Sequence, residues 1–150
     1  MALELADEYK NIAQKLINKY PEYFENFEID KILFLKETSK SPKKYAEVKK
    51  VAAPYTFMTS MKFIMTIYEP CIVSMTDAQI HLLIMHELMH IDDDFVKLKK
   101  HDLEDFKILI SKYGANWDID PNLEDILDEE DEIQPSNSND INEDDEIEIL

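Results

Sequence analysis

The first run of regularly spaced apolar residues has the period of a helix. Residues 3–20 place their apolar side chains close to one face of a helix, with polar side chains on the other faces. Those apolar positions are Leu5, Ile12, Leu16 and Ile17. Pro21 ends the pattern, because proline disfavours the helical conformation in the residue before it. The chain is therefore predicted to start with an amphipathic helix.

Three later stretches have the composition or alternation of β-strands. Residues 27–35 mix apolar alternation with aromatic and β-branched residues, and a loop is expected over residues 38–44. Residues 45–51 alternate like a strand, although Pro54 interrupts the segment that follows. Residues 61–68 (MKFIMTIY) have the clearest strand pattern in the chain. The pattern predicts two or three strands after the first helix.

A second helix is predicted from a start signal. Thr76 can accept a hydrogen bond from the backbone of Gln79, and Gln79 can reach back to Thr76, which is the reciprocal arrangement of a capping box. The helix should run to about Ile91, and its sequence, QIHLLIMHELMHI, is apolar on almost every side. We therefore expect it to be the buried central element of the domain. A polar connection over residues 92–100 and an amphipathic helix over residues 102–113 should follow.

The composition changes abruptly after Trp117. Residues 118–150 contain 15 Asp or Glu and no Lys, which leaves a net charge of only −2 in residues 1–117 of a chain whose total is −17. A segment with so many like charges and so few apolar residues cannot offset the entropy lost on ordering. We predict one domain over residues 1–117 and an acidic, disordered tail over residues 118–150, whose isolated Ile and Leu residues could dock a partner. Removing the chain beyond about Asn122 should then leave stability almost unchanged.

Charge and cysteine content exclude several classes of protein. All 16 basic residues are lysine, so the bidentate guanidinium contacts that commonly read phosphates and guanine are absent, and no direct nucleic-acid binding is expected. Cys71 is the only cysteine, which rules out an internal disulfide. The sequence has neither an N-terminal apolar signal nor a run of about 18 apolar residues, so we expect a cytoplasmic protein with no membrane segment.

The predicted central helix carries the motif HELMH at residues 86–90. His86 and His90 are four residues apart, which brings two imidazoles to one face of a helix and within reach of the same metal ion. Neutral imidazole is a good ligand for zinc. Glu87 lies too far round the helix to be a third ligand, and we expect it to accept a proton from the water that the metal activates. The motif predicts a zinc site with Glu87 as the catalytic base.

The surroundings of the motif argue against coincidence. A shuffled chain of this composition contains HExxH in roughly one case per hundred, so the letters alone are not decisive. In a loop or on a solvated face, the two histidines would simply be polar surface. Here they interrupt an otherwise apolar helix, and burying these polar groups without partners would cost about 1–3 kcal/mol each. A bound metal ion offsets that cost, which favours the metal-site interpretation.

A catalytic zinc site needs a third protein ligand and an open position for water or substrate. His101 is the only histidine after the motif, and it immediately precedes a predicted helix, so a connection that doubles back could bring it to the metal. Asp102, Asp105 and the loop residues 92–94 are alternatives, although Asp105 could instead orient the His101 ring. Imidazole leaves the ion its full charge, so His101 is the predicted third ligand.

The other polar candidates are expected to have structural roles. His81 precedes His86 by five residues and should point about 140° away from it on a helix. Tyr68 and Tyr113 carry phenols that could stabilise an oxyanion, but both fit better as amphipathic core residues. No base is suggested for Cys71. None of these residues enters the predicted site.

The strings around the motif resemble a known family. HELMHI, followed by HDLEDF at residues 101–106 and preceded by a helix and strands, is similar to the putative phage metallopeptidases, small zincin-like proteins of phages and prophages. The resemblance covers roughly residues 5–114. It implies an α+β minimal zincin-like fold, in which a small twisted sheet packs on the HExxH helix between N-terminal and C-terminal helices. It also implies zinc ligands at His86, His90 and His101. SprT-like peptidases, in which a later histidine completes the site, are more distantly similar.

Two functions from different classes are compatible with these residues. The first is a zinc metallopeptidase whose peptide or protein substrate pairs, as an extended strand, with an edge of the sheet such as residues 61–68. The second is a non-catalytic, zinc-stabilised phage or prophage protein that uses its acidic tail to bind or mimic a partner. Glu87 separates the two, because a structural site needs no base beside its ligands. Its presence favours the enzyme.

Overall fold

A computed structural model describes residues 2–40, 42–100 and 117–127 of the chain. The predicted helix over residues 102–113 and the predicted zinc ligand His101 lie outside these ranges. Within them, a small sheet and helices follow one another along the chain, and the prediction of an α+β protein is confirmed. No helix in the described part of the chain is both long enough and apolar enough to span a membrane.

Residue contacts divide the chain into two compact units. The first comprises residues 1–74 and 83–100, and it contains the sheet. The second comprises residues 75–82 and 101–150. The helix that carries the HELMH motif starts in the second unit and ends in the first, so the motif itself belongs to the first unit.

A mixed sheet of four strands is the framework of the first unit. The strands are β1 (Leu3–Leu5), β2 (Ile32–Glu37), β3 (Ala46–Lys50) and β4 (Phe63–Tyr68). They lie in the order β1, β2, β4, β3. The two inner strands, β2 and β4, run parallel, and each outer strand is antiparallel to its neighbour. Alternate residues of the inner strands, among them Phe34, Phe63 and Met65, are buried in the core.

The strand predictions are largely confirmed, with one shift and one correction. The strand predicted over residues 27–35 begins only at Ile32, because Ile29–Lys31 first forms a turn of 3-10 helix. Strands β3 and β4 fall within the predicted segments 45–51 and 61–68. However, β4 pairs with a strand on each side, so the suggestion that it offers an open edge to a substrate was wrong. The edges of the described sheet are β1 and β3.

Two helices of the first unit differ from the prediction. Helix α1 (Asp7–Lys19) is shorter than expected because residues 3–5 pair with β2 instead. Leu5, expected on the buried helix face, is 69% exposed. The residues that α1 buries, at helical spacing, are Tyr9, Ala13 and Leu16. A short helix, α2 (Glu69–Ile72), follows β4 and was not predicted. At the start of the chain, pairing with a neighbouring strand has overridden the local helical spacing.

Helix α3 (Asp77–Leu88) carries the motif and begins with the predicted capping box. The backbone N–H of Thr76 donates to Oε1 of Gln79 (2.8 Å), and the backbone N–H of Gln79 donates to Oγ1 of Thr76 (3.2 Å). Residues 82–85 and 87–88 are all buried. The helix is therefore buried on almost every side, as its sequence predicts.

In the second unit, the Gln79 side chain is bonded to the segment that follows residue 116. Its amide nitrogen donates to three backbone carbonyls, those of Trp117 (3.3 Å), Asp118 (3.0 Å) and Asp120 (3.1 Å). The segment begins with a turn of 3-10 helix, Trp117–Ile119, in which the indole side chain is buried. Gln79 thus caps α3 with its oxygen and fixes this segment with its nitrogen.

A second set of contacts involves the first residues of the predicted tail. Nδ1 of His81 lies 2.9 Å from Oδ1 of Asp125, and the same oxygen accepts a hydrogen bond from the backbone N–H of Leu127 (2.8 Å). Ile126 is only 4% exposed. These residues have defined partners in spite of their acidic surroundings, whereas the tail beyond residue 127 stays a prediction.

Ending the chain after Asn122 should therefore destabilise the protein, contrary to the expectation from composition alone. We expect a loss of about 2–5 kcal/mol in the free energy of unfolding, because the buried side chain of Ile126 is removed together with the partner of His81. The control is a chain ending after Leu127, which keeps both. Urea denaturation of the two shortened chains measures the difference, and equal midpoints would contradict the prediction.

Glu37, the last residue of β2, holds the start of the chain against the loop that follows the strand. Its Oε2 atom accepts hydrogen bonds from the backbone N–H groups of Ala2 (3.0 Å), Ser39 (3.0 Å) and Lys40 (3.2 Å), and from the Ser39 hydroxyl (2.8 Å). The side chain is buried. The bond from the Ala2 amide, together with those from Ser39 and Lys40, lowers the pKa of Glu37 to about 2.

We expect the stability that Glu37 contributes to depend on pH. Because its pKa is lowered on folding, this contribution is fully present above the ordinary value of 4.5 and is lost as the pH falls towards about 2. Glu37→Gln should lower the melting temperature at pH 7, and the difference from wild type should shrink across that acidic window. Thermal melts of both proteins between neutral pH and the acid limit of solubility check this. A difference that stays constant with pH would contradict it.

Candidate metal centre

The three side chains His86, Glu87 and His90 form a compact cluster at the end of α3. One ligand atom from each residue lies within 4.8 Å of the ligand atoms of the other two. The imidazole centroids of His86 and His90 are 5.1 Å apart. Nδ1 of His86 is buried, and Glu87 is only 6% exposed. Two imidazoles and a carboxylate therefore converge at a partly buried site, in which the Glu87 side chain is the most enclosed.

The second histidine lies beyond the regular helix, which corrects the expectation that α3 runs to about Ile91. Met89 still donates to the carbonyl of Met85, four residues back (3.0 Å). His90 and Ile91 donate instead to carbonyls three residues back, at 3.1 Å each. The chain therefore tightens into a 3-10 turn after Leu88. The His90 ring stays close to that of His86, but this final turn, not the helix proper, sets its position.

Lys99 holds His90 through two hydrogen bonds. Its backbone N–H donates to the carbonyl of His90 (2.6 Å), and its own carbonyl lies 2.9 Å from Nδ1 of the His90 ring. A carbonyl can only accept, so Nδ1 carries the proton and Nε2 carries the lone pair. Such a bond from the second ring nitrogen to a carbonyl is the usual way in which proteins orient a metal-binding histidine.

The loop between His90 and Lys99 is closed by its own backbone and by Asp92. Ile91 and Leu98 form an antiparallel bridge. Oδ1 of Asp92 accepts hydrogen bonds from the backbone N–H groups of Val96 (2.8 Å) and Lys97 (3.1 Å), and the bond from Val96 is the largest cause of the lowered pKa of Asp92. The carboxylate is thus engaged in building the loop. Among the described residues, Asp92 and the two acids after it lie outside the His-Glu-His cluster.

Phe95 anchors this loop in the core. The residue is 1% exposed and has a positive φ of 60°, a conformation that costs energy for any residue with a β-carbon. Its ring packs 5.1 Å from those of Phe27 and Phe63, and the Lys62 ammonium lies 5.1 Å from its centroid. Sequence reasoning passed over Phe95. Its burial could have been suspected from the sequence, because it is the single aromatic residue within the polar run DDDFVKLKK.

A group of charged and polar side chains lies where β3 begins and β4 ends. The Tyr68 hydroxyl donates to Oε2 of Glu47 (3.0 Å), and the ammonium of Lys44 bonds to Oε1 of the same carboxylate. The pKa of Lys44 is raised, chiefly by the bond to Glu47 and also by the negative charge of Glu87. Lys44 therefore lies within electrostatic range of the motif. The Tyr68 hydroxyl, considered as an oxyanion donor, is bonded to Glu47.

The remaining candidates from the sequence take structural positions or lie outside the description. His81 belongs to the second unit and lies beside Asp125, so it is not part of the cluster, as its helical angle predicts. The thiol of Cys71 donates to the carbonyl of Pro42 (3.0 Å). His101 and Asp105 fall among the residues that the structure does not describe.

Together, the fold and this cluster define an α+β protein with a candidate metal-binding site of two histidines and a glutamate. The chain belongs to the putative phage metallopeptidase family, whose family model matches residues 1–129. This membership confirms the resemblance found in the sequence and supports a metallopeptidase role. No curated protein and no solved structure shows a significant match to the chain.

Proposed function

We propose that this protein is a zinc-dependent metallopeptidase that hydrolyses peptide bonds with His86, His90 and His101 as metal ligands and Glu87 as base. The observation that carries the proposal is the convergence of His86, Glu87 and His90, with ligand atoms within 4.8 Å of one another. Membership in the putative phage metallopeptidase family supports the reaction type. The substrate class follows from that reaction, since a peptidase acts on peptides or proteins.

Zinc fits the donor atoms at this site. Imidazole nitrogen is a preferred zinc ligand, and catalytic zinc takes three protein ligands and leaves a position open. The carbonyl of Lys99 fixes the proton of His90 on Nδ1, so Nε2 is the nitrogen that can bind a cation. Two histidines from the described residues and His101 as the third complete the ligand set that we propose.

Glu87 supplies the proton transfers in the proposed reaction. A zinc ion held by the histidines would polarise the scissile carbonyl and lower the pKa of a water molecule bound to it to about 7. The Glu87 carboxylate accepts the proton of the attacking water and then gives it to the departing amine. Glu87 suits this role because it is buried and its carboxylate lies within 4.8 Å of the histidine nitrogens that would hold the ion.

The outer edge of β3 is the place we propose for the substrate backbone. An extended peptide can add to a sheet only where a strand has unpaired N–H and C=O groups, and β4 is paired on both sides. Within the described sheet, β3 is an edge strand. The residues just before it include Lys44, whose pKa is raised in part by the negative charge of Glu87. A peptide paired with β3 would therefore extend along the sheet as an added strand.

We expect the purified protein to bind one zinc ion per chain and to cleave peptides only when zinc is present. Elemental analysis after expression in zinc-replete medium measures the metal, and a mixed peptide library analysed for new termini measures cleavage. The double variant His86→Ala/His90→Ala is the control and should bind no zinc. Absence of zinc from the wild-type protein would refute the site. Stoichiometric zinc with no cleavage of any peptide would favour the non-catalytic, zinc-stabilised interaction protein instead.

A further inference from the structure

A strip of lysines, which we call the lysine edge, lies on and just before the edge strand β3. Residues 40–50 contain five lysines and one glutamate, within a chain whose net charge is −17. All five lysines are exposed. The lysine edge consists of Lys40, Lys43, Lys44, Lys49 and Lys50. This local positive charge stands out against the acidic character of the chain as a whole.

The lysine edge leads into β3 and ends with Lys50, the last residue of the strand. Lys44 lies within electrostatic range of Glu87. The register of the sheet places Ala46 opposite Ile67 and Lys50 opposite Phe63, so β3 runs antiparallel to β4. Strand β3 spans Ala46–Lys50, and four steps of extended chain give it a length of about 13 Å. A peptide paired with β3 would meet Lys49 and Lys50 within the strand, and Lys44 lies two residues before the strand begins.

The backbone of β3 is suited to a polypeptide ligand. In the described sheet, β3 pairs with β4 along one side only, so its outer N–H and C=O groups face away from the sheet. The lone acid of the strip, Glu47, is bonded to Tyr68 and Lys44 and lies 3.5 Å from Lys49. Its negative charge is thereby engaged by its neighbours, and Lys50, at the far end of the strip, is exposed.

We propose that the outer edge of β3 binds an extended acidic peptide, so that the substrates of this enzyme carry Asp or Glu next to the segment that pairs with β3. The inference rests on the proposed function, because it assigns a substrate class to the same site. Opposite charges on neighbouring strands of a sheet attract each other by about 0.2–1 kcal/mol per pair. Pairs with Lys49 and Lys50 on the strand, together with the positive charge of the lysines just before it, discriminate an acidic peptide from a basic one.

Lysines on an edge strand can also protect the sheet or attract nucleic acid. Positive charge on an edge discourages association with the edges of neighbouring proteins, and this protective role needs no ligand. Positive charge also attracts the phosphates of nucleic acid. The observations favour a peptide, because the outer N–H and C=O groups of an edge strand bind a polypeptide backbone specifically. Peptide and oligonucleotide binding, measured side by side, separates the three roles.

The test measures peptide binding by the zinc-loaded Glu87→Gln protein, which is expected not to cleave its ligand. The probe is a fluorescent peptide of about ten residues that alternates Glu with Val, and matched peptides replace each Glu with Gln or Lys. The key variant is Lys50→Glu. The control is Lys15→Glu, which makes the same change of charge at an exposed position of α1. Fluorescence anisotropy at a fixed, moderate salt concentration gives each Kd.

We expect the Glu peptide to bind more tightly than the Gln peptide, and the Lys peptide to bind least. Lys50→Glu should weaken binding of the Glu peptide by roughly three- to tenfold and strengthen binding of the Lys peptide, whereas Lys15→Glu changes neither. Equal Kd values for the three peptides, or equal effects of the two substitutions, would overturn the inference. So would tighter binding of a single-stranded oligonucleotide than of the Glu peptide at the same salt concentration.

Failure of this inference can be told apart from failure of the proposed function. Zinc-dependent cleavage by the wild-type protein without preference for acidic peptides would retain the metallopeptidase and overturn the acidic substrate class. Charge-selective binding by a protein that holds no zinc and cleaves nothing would overturn the metallopeptidase and support an acidic peptide as the partner of β3.

Discussion

Glu87→Gln should lower kcat/KM for peptide hydrolysis by about 10²- to 10⁴-fold while leaving zinc content and melting temperature close to those of the wild type. The amide has almost the shape of the carboxylate, so the packing around this buried side chain is kept. It cannot accept a proton from the attacking water, and the described cluster contains no other carboxylate. Steady-state kinetics on a peptide cleaved by the wild-type protein gives the ratio, and zinc analysis of the same samples excludes loss of metal.

Glu69→Gln is the matched control for this experiment. Glu69 is a half-buried carboxylate of the first unit that accepts a hydrogen bond from the Tyr9 hydroxyl (2.8 Å), and it is not part of the cluster. The same chemical change at this position should leave kcat/KM within a small factor of the wild-type value. If Glu87→Gln cleaves as fast as the wild type, Glu87 is not the base. If both variants are equally slow, a general loss of structure is responsible.

His101→Ala should weaken zinc binding by more than about 100-fold, whereas Asp105→Ala should cost at most about 10- to 100-fold. The larger loss follows if His101 is a direct ligand, and the smaller loss follows if Asp105 only orients the imidazole. Competition with a chromophoric chelator, at a pH where the histidines are neutral, ranks the two variants against wild type. The reverse ranking would make Asp105 the ligand and leave a site of two histidines and one carboxylate.

The covalent chain supports His101 as the third ligand. Lys99 is bonded to the backbone and the ring of His90, so residue 99 lies next to one of the two histidines of the motif. His101 follows Lys99 by only two positions, and their Cα atoms can be at most about 7 Å apart. Asp92, an alternative within the loop, has its carboxylate bonded to backbone N–H groups. These constraints favour the histidine as the third ligand.

Local rules predicted the parts of this fold that depend on neighbouring residues. The capping box of Thr76 and Gln79 forms as expected because both partners lie within one turn of the helix. Strands β3 and β4 follow from alternation and β-branched composition. The cluster of His86, Glu87 and His90 could be predicted for the same reason, since a spacing of four residues brings side chains together in a single helical turn.

Features set by distant parts of the chain escaped sequence reasoning. Strand β1 forms because residues 3–5 find a partner in β2, some thirty residues away, and nothing in their own spacing indicates it. The helix ends at Leu88 because the loop that follows is bonded back to His90 from Lys99. Ile126 is buried although its neighbours are acidic, since one apolar residue can find a place in the core without changing the average composition.

The two bonds between His90 and Lys99 make the loop that joins them a spacer of fixed length. Exposed side chains of this loop, such as Asp94 and Val96, can be exchanged without moving the imidazole. One inserted or deleted residue would shift the Lys99 carbonyl out of register with Nδ1 and release both the tautomer and the orientation of the ring. Over evolutionary time, the loop is therefore free to change at its exposed positions but not in length.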